Sequence, residues 1–456
     1  MDQVLNYQWI LIVLASLVLF FIAPLAKTPA AFFKATVQNR QPSQWVLISS
    51  LVISWIFAKS ITNAANLGLS FGIVGGVAYA IYYLSFWVAG IVIYRMRTKG
   101  GFKSIHDFLQ TKYGRSALVV FSILIAFRLF NEVWSNTMVI GTYFGAQGSA
   151  NYYWSIVVFT LLTLAYVLKG GLQSSLLTDV IQMVLFGVLL FIILGILLPR
   201  EQNDVGAFLQ TGSWTLAGGV DLLLVALIQV FSYPFHDPVL TDRGFIADHK
   251  VTLRSFIWAS FIGMLCIILF SFVGIYAQMQ GMQGQAAVEV SRSLGLVMTL
   301  IMNFIMITSA ASTLDSTFSS FAKLAVVDLN NGRQVTVKRG RIAMVVLMLV
   351  GTIPVFLSPT ILSATTISGT MVIGLAPVFL FWNKKFPVWS FHLSIGVGIV
   401  MGILLAADLV PASWIFFDGK YATLLSVNII GTIASFSLFF LGRSLKLSRV
   451  QAPANH

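Results

Sequence analysis

The residues best suited to chemistry in this sequence are concentrated in TSAASTLDSTFSS, residues 308–320, inside a long apolar stretch. Five hydroxyl residues recur there at the spacing of one helix face: Ser309, Ser312, Thr313, Ser316 and Ser320. Asp315 borders this hydroxyl stripe. Hydroxyl, carboxylate and carbonyl oxygens suit a hard cation such as Na⁺. Small hydroxyl residues also serve as packing contacts between membrane helices, so the stripe alone leaves both interpretations open.

A second stripe carries a carboxylate. Ser175, Thr178, Asp179 and Gln182 follow the spacing i, i+3, i+4, i+7 in the segment KGGLQSSLLTDVIQ. A carboxylate inside an apolar segment is costly unless it meets water, a cation or another partner. We interpret Asp179 as an ion ligand or as a carboxylate on the path by which an ion leaves.

Lys59 is a basic residue inside an apolar segment, and such intramembrane charges are functional hypotheses by default. The polar residues Ser60, Thr62 and Asn63 follow it. A helix interrupted here, at mid-membrane, would free backbone carbonyls for a cation. The alternative is a continuous helix in which Lys59 pairs with a carboxylate of the bundle.

Arg128 is the other basic residue inside an apolar segment. Glu132 follows four residues later, on the same helix face, so the two side chains can form an ion pair. In the functional alternative, Arg128 faces a cavity and holds a carboxylate of a ligand with two parallel hydrogen bonds.

The composition identifies the class of protein. Hydrophobic residues make up 58% of the chain and charged residues 9%, whereas a soluble domain carries about 25% charged residues. The mean hydropathy is +0.89. The single cysteine, Cys266, excludes a disulfide framework, and the five histidines lack metal-ligand spacing. Neither a phosphate-binding loop nor a nucleophile elbow is present, so we expect a polytopic membrane protein that is not an enzyme.

Apolar runs long enough to cross about 30 Å of hydrocarbon predict about thirteen spans: 7–26, 45–67, 72–94, 116–145, 152–168, 174–198, 219–241, 255–279, 291–327, 341–357, 361–382, 388–407 and 422–441. Pro234 and Pro238 interrupt the seventh span. This seventh span comes five spans after the interrupted second span, which is the spacing that an inverted repeat of five helices requires. His236 and Asp237, beside these prolines, are either polar lining of a cavity or part of a surface loop.

The basic residues predict the orientation of the chain. Most of the 28 lysines and arginines fall in loops on one side of this topology. Arg243 and Lys323 are assigned to two of these loops. The positive-inside rule therefore places the N-terminus outside and the C-terminus in the cytoplasm.

The first span has no basic region before it and no small-residue cleavage site, so we do not expect it to be a cleaved signal peptide. The net charge of +13 is an orientation signal and not a nucleic-acid surface.

Five segments together resemble the sodium:solute symporter family, and they occur in that family's order: FKSIHDFLQTKYG, GGLQSSLLTDVIQ, SYPFHDPVLTDRGFIADHK, SAASTLDSTFSSFAKLAVVDL and SGTMVIGLAPVFLFW. The resemblance implies an all-α polytopic fold whose LeuT-type core, residues 45–385, consists of two inverted five-helix repeats. An extra transmembrane helix and a cytoplasmic loop occupy residues 1–44. Two further transmembrane helices and a short cytoplasmic tail occupy residues 386–456.

The resemblance also implies two sites for Na⁺, the coupling ion. The site common to the family would use the backbone carbonyls of Ala58 and Ile61 with Ser309, Ser312 and Thr313. A second site, found in some members, would use Asp179 with Ser312, Ser316 and Thr313. Lys59 and Asp315 depart from the family pattern. They could form a salt bridge, or the Lys59 ammonium could replace Na⁺.

For the solute, the resemblance implies residues beside the interrupted helices: Ser60, Thr62, Asn63, Phe231 and Tyr233. Arg128 lies near the position of an arginine that binds the solute carboxylate in sialic-acid members. Together with Lys59, it favours an anionic or zwitterionic, carboxylate-bearing solute.

We therefore expect sodium-coupled symport of a small organic solute into the cell by alternating access. The expected protein is a monomer in the lipid bilayer of the plasma (inner) membrane, with a small-molecule solute and no nucleic-acid partner. Two alternatives stay open. One is a proton-coupled or ion-independent transporter that uses Lys59 in place of Na⁺, and the other is a transporter-like membrane sensor.

Overall fold

The computed structural model describes residues 2–35, 41–202, 204–329, 334–357 and 363–444, and these residues form helices and loops without β-strands. In chain order the helices are α1 (Asp2–Ile22), α2 (Pro29–Lys34), α3 (Gln44–Trp55), α4 (Ala58–Phe71), α5 (Ile73–Ala80), α6 (Ser85–Gly100), α7 (Ile105–Phe144, with a kink at Gly114), α8 (Ala150–Gly170), α9 (Leu172–Leu197), α10 (Val205–Leu209), α11 (Asp221–Gln229), α12 (Pro238–Arg243), α13 (His249–Met279), α14 (Ala286–Ser293), α15 (Leu296–Lys323), α16 (Val337–Thr352), α17 (Ser363–Met371), α18 (Leu375–Leu380), α19 (Val388–Ala406) and α20 (Ala422–Ser444).

The described helices make this an integral, multi-pass membrane protein. Ten helical segments are long and apolar enough to cross a bilayer, and the bent pair α3–α4 makes an eleventh. The predicted count of thirteen is not confirmed. The expected span at 219–241 consists of α11, a short turn and α12, each too short to cross alone. The expected span at 361–382 begins outside the described residues, and its described part is divided between α17 and α18.

The first interruption lies between α3 and α4. The two helices meet at 59° across Ile56 and Phe57. Phe57 is extended, with φ −58° and ψ 150°, and its carbonyl accepts hydrogen bonds from the backbone N–H groups of Ser60 (2.9 Å) and Ile61 (3.0 Å). The predicted interruption is confirmed, but it precedes Lys59, and the polar residues expected to mark it belong to the first turns of α4.

The second interruption separates α11 from α12. Pro234 lies in a short 3₁₀ turn, Tyr233–His236, and Pro238 begins α12. Proline lacks a backbone N–H and blocks continuation of the preceding helix, so both positions fit a break. Asp237 caps α12, because its Oδ1 accepts hydrogen bonds from the backbone N–H groups of Val239 (3.0 Å) and Leu240 (3.3 Å). The interruption predicted from the two prolines is confirmed.

Helix α13 fixes the position of α4 through close backbone contact. A Cβ added at Gly274 of α13 would overlap the carbonyl of Ala65, and one added at Gly68 of α4 would overlap the carbonyl of Ser271. Small residues allow membrane helices to approach in this way, where association depends on packing rather than on hydrophobic burial. The glycines therefore set the distance between α13 and the helix that begins at the first interruption.

Gly274→Ala is expected to lower the free energy of unfolding by about 1–3 kcal/mol, because the added methyl group overpacks the α4 interface. Unfolding of the purified protein in detergent measures this loss. Gly187→Ala is the matched control, since Gly187 of α9 has open space where its Cβ would lie. Equal stability of both variants would contradict the close contact.

Candidate functional site

Four buried charges meet where the two interruptions face α7. Lys59 Nζ lies 2.7 Å from Glu132 Oε1. Arg128 contacts Glu132 as well, and its Nη2 lies 3.1 Å from Asp237 Oδ2. All four side chains are buried. We call Lys59, Arg128, Glu132 and Asp237 the charge network. It joins the first turn of α4, the middle of α7 and the N-terminal cap of α12.

The charge network is internally balanced, with two cations and two carboxylates. Charges removed from water are costly unless they are paired and their remaining hydrogen-bonding groups are satisfied. Asn136 supports the pairing, since its amide nitrogen donates to Glu132 Oε2 at 2.8 Å. The predicted i, i+4 pair of Arg128 with Glu132 is present. The carboxylate that pairs with Lys59 is Glu132, and not Asp315 as the sequence left open.

Aromatic and amide side chains lie beside the charge network. The ring of Tyr233 lies 5.7 Å from that of Tyr82 and 5.8 Å from that of Trp55, between ring centroids. Tyr79 Oη lies 3.2 Å from Ser60 Oγ and accepts a hydrogen bond from the Asn63 amide at 3.3 Å. The rings touch one another, so this region is closed in the present conformation.

The predicted solute residues separate into two groups. Ser60, Thr62, Asn63, Arg128 and Tyr233 are all buried, close to the interruptions. Phe231 differs: its side chain is 43% exposed. It lines an apolar groove together with residues of α11, α18 and α20. Phe231 thus faces this groove and not the charge network, because the chain turns between Gln229 and Tyr233 and directs the two aromatic side chains to different sides.

The hydroxyl stripe of α15 is buried against neighbouring helices, including α3, α4 and α9. Ser312 Oγ donates to Asp179 Oδ1 at 2.5 Å, and Thr313 Oγ1 donates to the carbonyl of Ser309 at 2.9 Å. Ser309 Oγ is buried and has no hydrogen-bond partner among the described residues. Ala58 and Ile61 are buried in the first turns of α4. The described residues contain no group of three or more His, Cys, Asp or Glu side chains suited to a metal.

Asp179 is paired with an arginine that the sequence placed elsewhere. Arg243 Nη2 lies 3.0 Å from Asp179 Oδ2 and 2.8 Å from Ser316 Oγ, and both charged side chains are fully buried. Arg243 also donates to Ser50 Oγ at 2.5 Å and to Ser54 Oγ at 3.1 Å. The assignment of Arg243 to an exposed loop is wrong, because α12 runs back into the bundle and its last residue reaches α9.

Among the described residues, the groups that donate hydrogen bonds to the Asp315 carboxylate are all hydroxyls. Ser175 Oγ lies 2.7 Å, Tyr166 Oη 2.8 Å and Thr178 Oγ1 2.9 Å from its oxygens, and Ser316 Oγ lies 3.2 Å away. These donors come mainly from α8 and α9. Ser316, which donates to Asp315 and accepts from Arg243, links this carboxylate to the pair of Arg243 with Asp179.

Sequence reasoning missed several residues of this site. Arg243 follows Pro238 by five positions, and a short helix beginning at that proline would have signalled that it is not in a loop. Ser50 and Ser54 are four residues apart on α3 and repeat the helical hydroxyl pattern. We find no sequence signal for the pairing of Lys59 with Glu132, since 73 residues separate them.

Comparison with known proteins gives a family match over part of the chain and a shared fold. Residues 32–208 match the model of the sodium:solute symporter family. The resemblance found in the sequence is confirmed. No curated protein matches the sequence. A Na⁺-coupled sialic acid symporter, solved in a substrate-bound outward-open state, is 15% identical with a TM-score of 0.68, over 98% of this chain and 97% of that one.

Two structures of Mhp1 also match. Mhp1, a nucleobase-cation-symport-1 family transporter, in a closed conformation with bromovinylhydantoin bound is 14% identical, with a TM-score of 0.57 over 92% of this chain and 95% of that one. Its inward-facing form is 15% identical, with a TM-score of 0.52 over 92% and 94%. The predicted LeuT-type fold is confirmed.

Glu132→Gln is expected to lower the free energy of unfolding by about 3–5 kcal/mol, because it leaves a buried lysine and arginine with one carboxylate between them. Thermal and denaturant unfolding in detergent measure the effect. In the control, Glu289→Gln removes the exposed partner of Arg292 and should change stability by less than about 1 kcal/mol. Similar losses in the two variants would contradict the charge network.

Proposed function

We propose that this protein is a sodium-coupled symporter, which carries a small organic solute into the cell by alternating access. The observation that carries the proposal is the hydroxyl stripe of α15, buried against both halves of the interrupted pair α3–α4. Interrupted helices with freed carbonyls beside polar side chains are a recurring cation site of secondary transporters. The family match and the fold shared with a Na⁺-coupled symporter support the same function.

The proposed Na⁺ ligands are the carbonyl oxygens of Ala58 and Ile61 with the hydroxyls of Ser309, Ser312 and Thr313. Oxygen ligands suit a hard monovalent cation. Ser309 Oγ supports this assignment, because a buried hydroxyl without a partner is a position where a ligand recovers lost interactions. Na⁺ bound there would bridge α4 and α15 and bias the relative position of the two helices.

We propose that one Na⁺ binds in the present arrangement of helices. The second predicted site would use Asp179 and Ser316, but the Arg243 guanidinium already donates to both. A fixed cation on these oxygens opposes a second cation at the same position. Because Arg243 ends α12, beyond the second interruption, movement of α12 would be needed to free Asp179 for an ion.

Alternating access requires α12 to exchange contacts, and its end is held in the present conformation. Lys323 Nζ of α15 lies 2.6 Å from Asp242 Oδ1 of α12 and 3.1 Å from Asp328 Oδ2. These ion pairs would break when that end of the bundle opens. Na⁺ and solute would shift the equilibrium to the extent that they bind one arrangement more tightly than the other.

The charge network bears on the class of solute. The expectation of a carboxylate-bearing solute depended on Lys59 and Arg128, which are both paired with carboxylates. A net anion would have to displace Asp237 or Glu132, so we do not propose one. The rival in which Lys59 replaces Na⁺ is disfavoured for a related reason, since its Nζ bonds Glu132 on α7. The sensor alternative gains no specific support.

The remaining features of the proposal come from the sequence. The protein would act as a monomer in the plasma (inner) membrane, with its N-terminus outside and its C-terminus in the cytoplasm. Na⁺ would be a transported coupling ion and not a prosthetic group. The ten-helix core would comprise residues 45–385.

Ser309→Ala is expected to weaken Na⁺ binding about tenfold, equivalent to about 1.4 kcal/mol. Stability without Na⁺ should be unchanged, because the lost hydroxyl has no protein partner. Thermal stability titrated with NaCl, with choline chloride keeping the ionic strength constant, measures the binding. Ser319→Ala is the control, since Ser319 Oγ donates only to the carbonyl of Asp315 in its own helix. If NaCl fails to stabilise the wild type more than choline chloride does, the sodium assignment is wrong.

The wild-type Na⁺ titration is expected to follow single-site binding, with a Hill coefficient of about 1, because Arg243 holds Asp179 and Ser316. Solute-dependent Na⁺ flux into proteoliposomes gives an independent ratio once a solute is known. A coefficient approaching about 2 would show that Na⁺ displaces Arg243 and that the second predicted site is used.

A further inference from the structure

Among the described residues, a buried ring nitrogen at each of the two interruptions lacks a hydrogen-bond partner. Trp55 is the last residue of α3, and its Nε1 has no partner, although the residue is only 3% exposed. His236 ends the turn at the second interruption, is 1% exposed, and has no partner at Nε2. Most buried polar groups in folded proteins are hydrogen-bonded, so each exception calls for an explanation.

The two side chains pack on the same tyrosine. The Tyr233 ring centroid lies 5.8 Å from that of Trp55 at an interplanar angle of 89°, and 4.8 Å from that of His236 at 83°. Arg128 Cζ lies 5.2 Å from the Tyr233 ring. Trp55 and His236 therefore flank the aromatic side chain that connects the two interruptions with the charge network.

The hydrogen-bonding character of both atoms follows from their chemistry. The indole Nε1 is a donor only. His236 Nδ1 lies 2.5 Å from the carbonyl of Tyr233, which can only accept, so Nδ1 carries the hydrogen. In this tautomer of the neutral imidazole, Nε2 is an acceptor. Around Tyr233, the described residues thus leave an unused donor on the Trp55 indole and an unused acceptor on the His236 imidazole, and Arg128 Nε is a further buried donor without a hydrogen-bond partner.

We propose that Trp55 Nε1 and His236 Nε2 bind the transported solute, and that the solute is a small amide-type compound without net charge. Such a compound presents a carbonyl to the indole N–H and an N–H group to the imidazole nitrogen. This deepens the proposed function and rests on it, because a transported solute is what opens the closed region and satisfies both atoms. Sites built from such groups reject analogues that lack the matching partner.

The charge network supplies the second part of the argument. Lys59 and Arg128 are matched by Glu132 and Asp237, so a net ionic solute would enter as an uncompensated buried charge. A neutral solute leaves these pairs intact. Its ring or plane would contact Tyr233 and Tyr82, whose rings already lie edge to face or tilted against their neighbours.

Two variants remove the unpaired ring nitrogens together with part of each buried ring. Trp55→Phe keeps an aromatic ring against Tyr233 and deletes the N–H. His236→Asn keeps an amide donor near the Tyr233 carbonyl and deletes the acceptor at the Nε2 position. Because both rings pack on Tyr233, both variants should be less stable than the wild type, so amide binding is measured as the shift from each variant's own ligand-free thermal stability. Trp258→Phe, at a tryptophan of α13 that is 55% exposed, is the matched control.

The probes are 2-pyrrolidinone, uracil, nicotinamide and pyroglutamide as neutral amides, pyroglutamate as the anion matched to pyroglutamide, and proline as a zwitterion. Thermal stabilisation of the purified protein is measured in NaCl and in choline chloride at equal ionic strength. At least one neutral amide should stabilise the wild type, and pyroglutamate should not. Trp55→Phe and His236→Asn should each weaken binding of that amide about tenfold or more, and Trp258→Phe should leave it unchanged.

The proposal is overturned if no neutral amide stabilises the wild type, if pyroglutamate binds in preference to pyroglutamide, or if both variants bind the amide as the wild type does. Its failure is distinct from failure of sodium coupling. Amide binding that requires Na⁺ but ignores both variants rejects this solute site and keeps the symport. Amide binding that depends on Trp55 and His236 but is equal in choline keeps the solute site and rejects sodium coupling.

Discussion

The structure depends on the pairing of charges that have been removed from water. In the charge network, Glu132 of α7 holds Lys59 of α4, while Arg128 holds the cap of α12 through Asp237. A membrane interior offers no water to an unpaired ion, so these contacts fix which faces of α4, α7 and α12 meet. Both interruptions are thereby held against one helix, and the aromatic side chains between them are held in contact.

The carboxylates beside the hydroxyl stripe are also buried and also need partners, but their partners are of two different kinds. Asp179 is matched by Arg243, whereas Asp315 is surrounded by hydroxyl donors from α8, α9 and α15. Hydroxyl groups can donate to a carboxylate or accept a cation after a simple rotation. The hydroxyls around Asp315 can therefore reorient without a change of backbone, whereas Asp179 becomes free only if Arg243 moves with α12. Since Arg243 ends α12, its pairing also couples the hydroxyl stripe to the second interruption.

Much of the fold was predictable, and the misses have a common cause. The apolar runs gave the membrane class, and Pro234 with Pro238 gave the second interruption, because proline acts locally on the helix. The first interruption was expected at the polar residues after Lys59, yet it lies at Ile56 and Phe57, where no local residue marks it. Arg243 was assigned to a loop because a hydropathy profile treats a single charged residue as exposed. In the structure, five oxygen atoms accept hydrogen bonds from its guanidinium and stabilise it in the interior.

The sequence by itself determined the membrane class, the family resemblance and the helix faces that carry hydroxyls and carboxylates, since these follow from composition and from spacing along one helix. Only the tertiary structure decided the partners. It paired Lys59 with Glu132 and Asp179 with Arg243, and it directed Phe231 away from Tyr233. Within the described residues, it left Nε1 of Trp55 and Nε2 of His236 without hydrogen-bond partners. The physical reason is that pairing depends on distances between helices far apart in the chain, and burial makes each such pairing decisive.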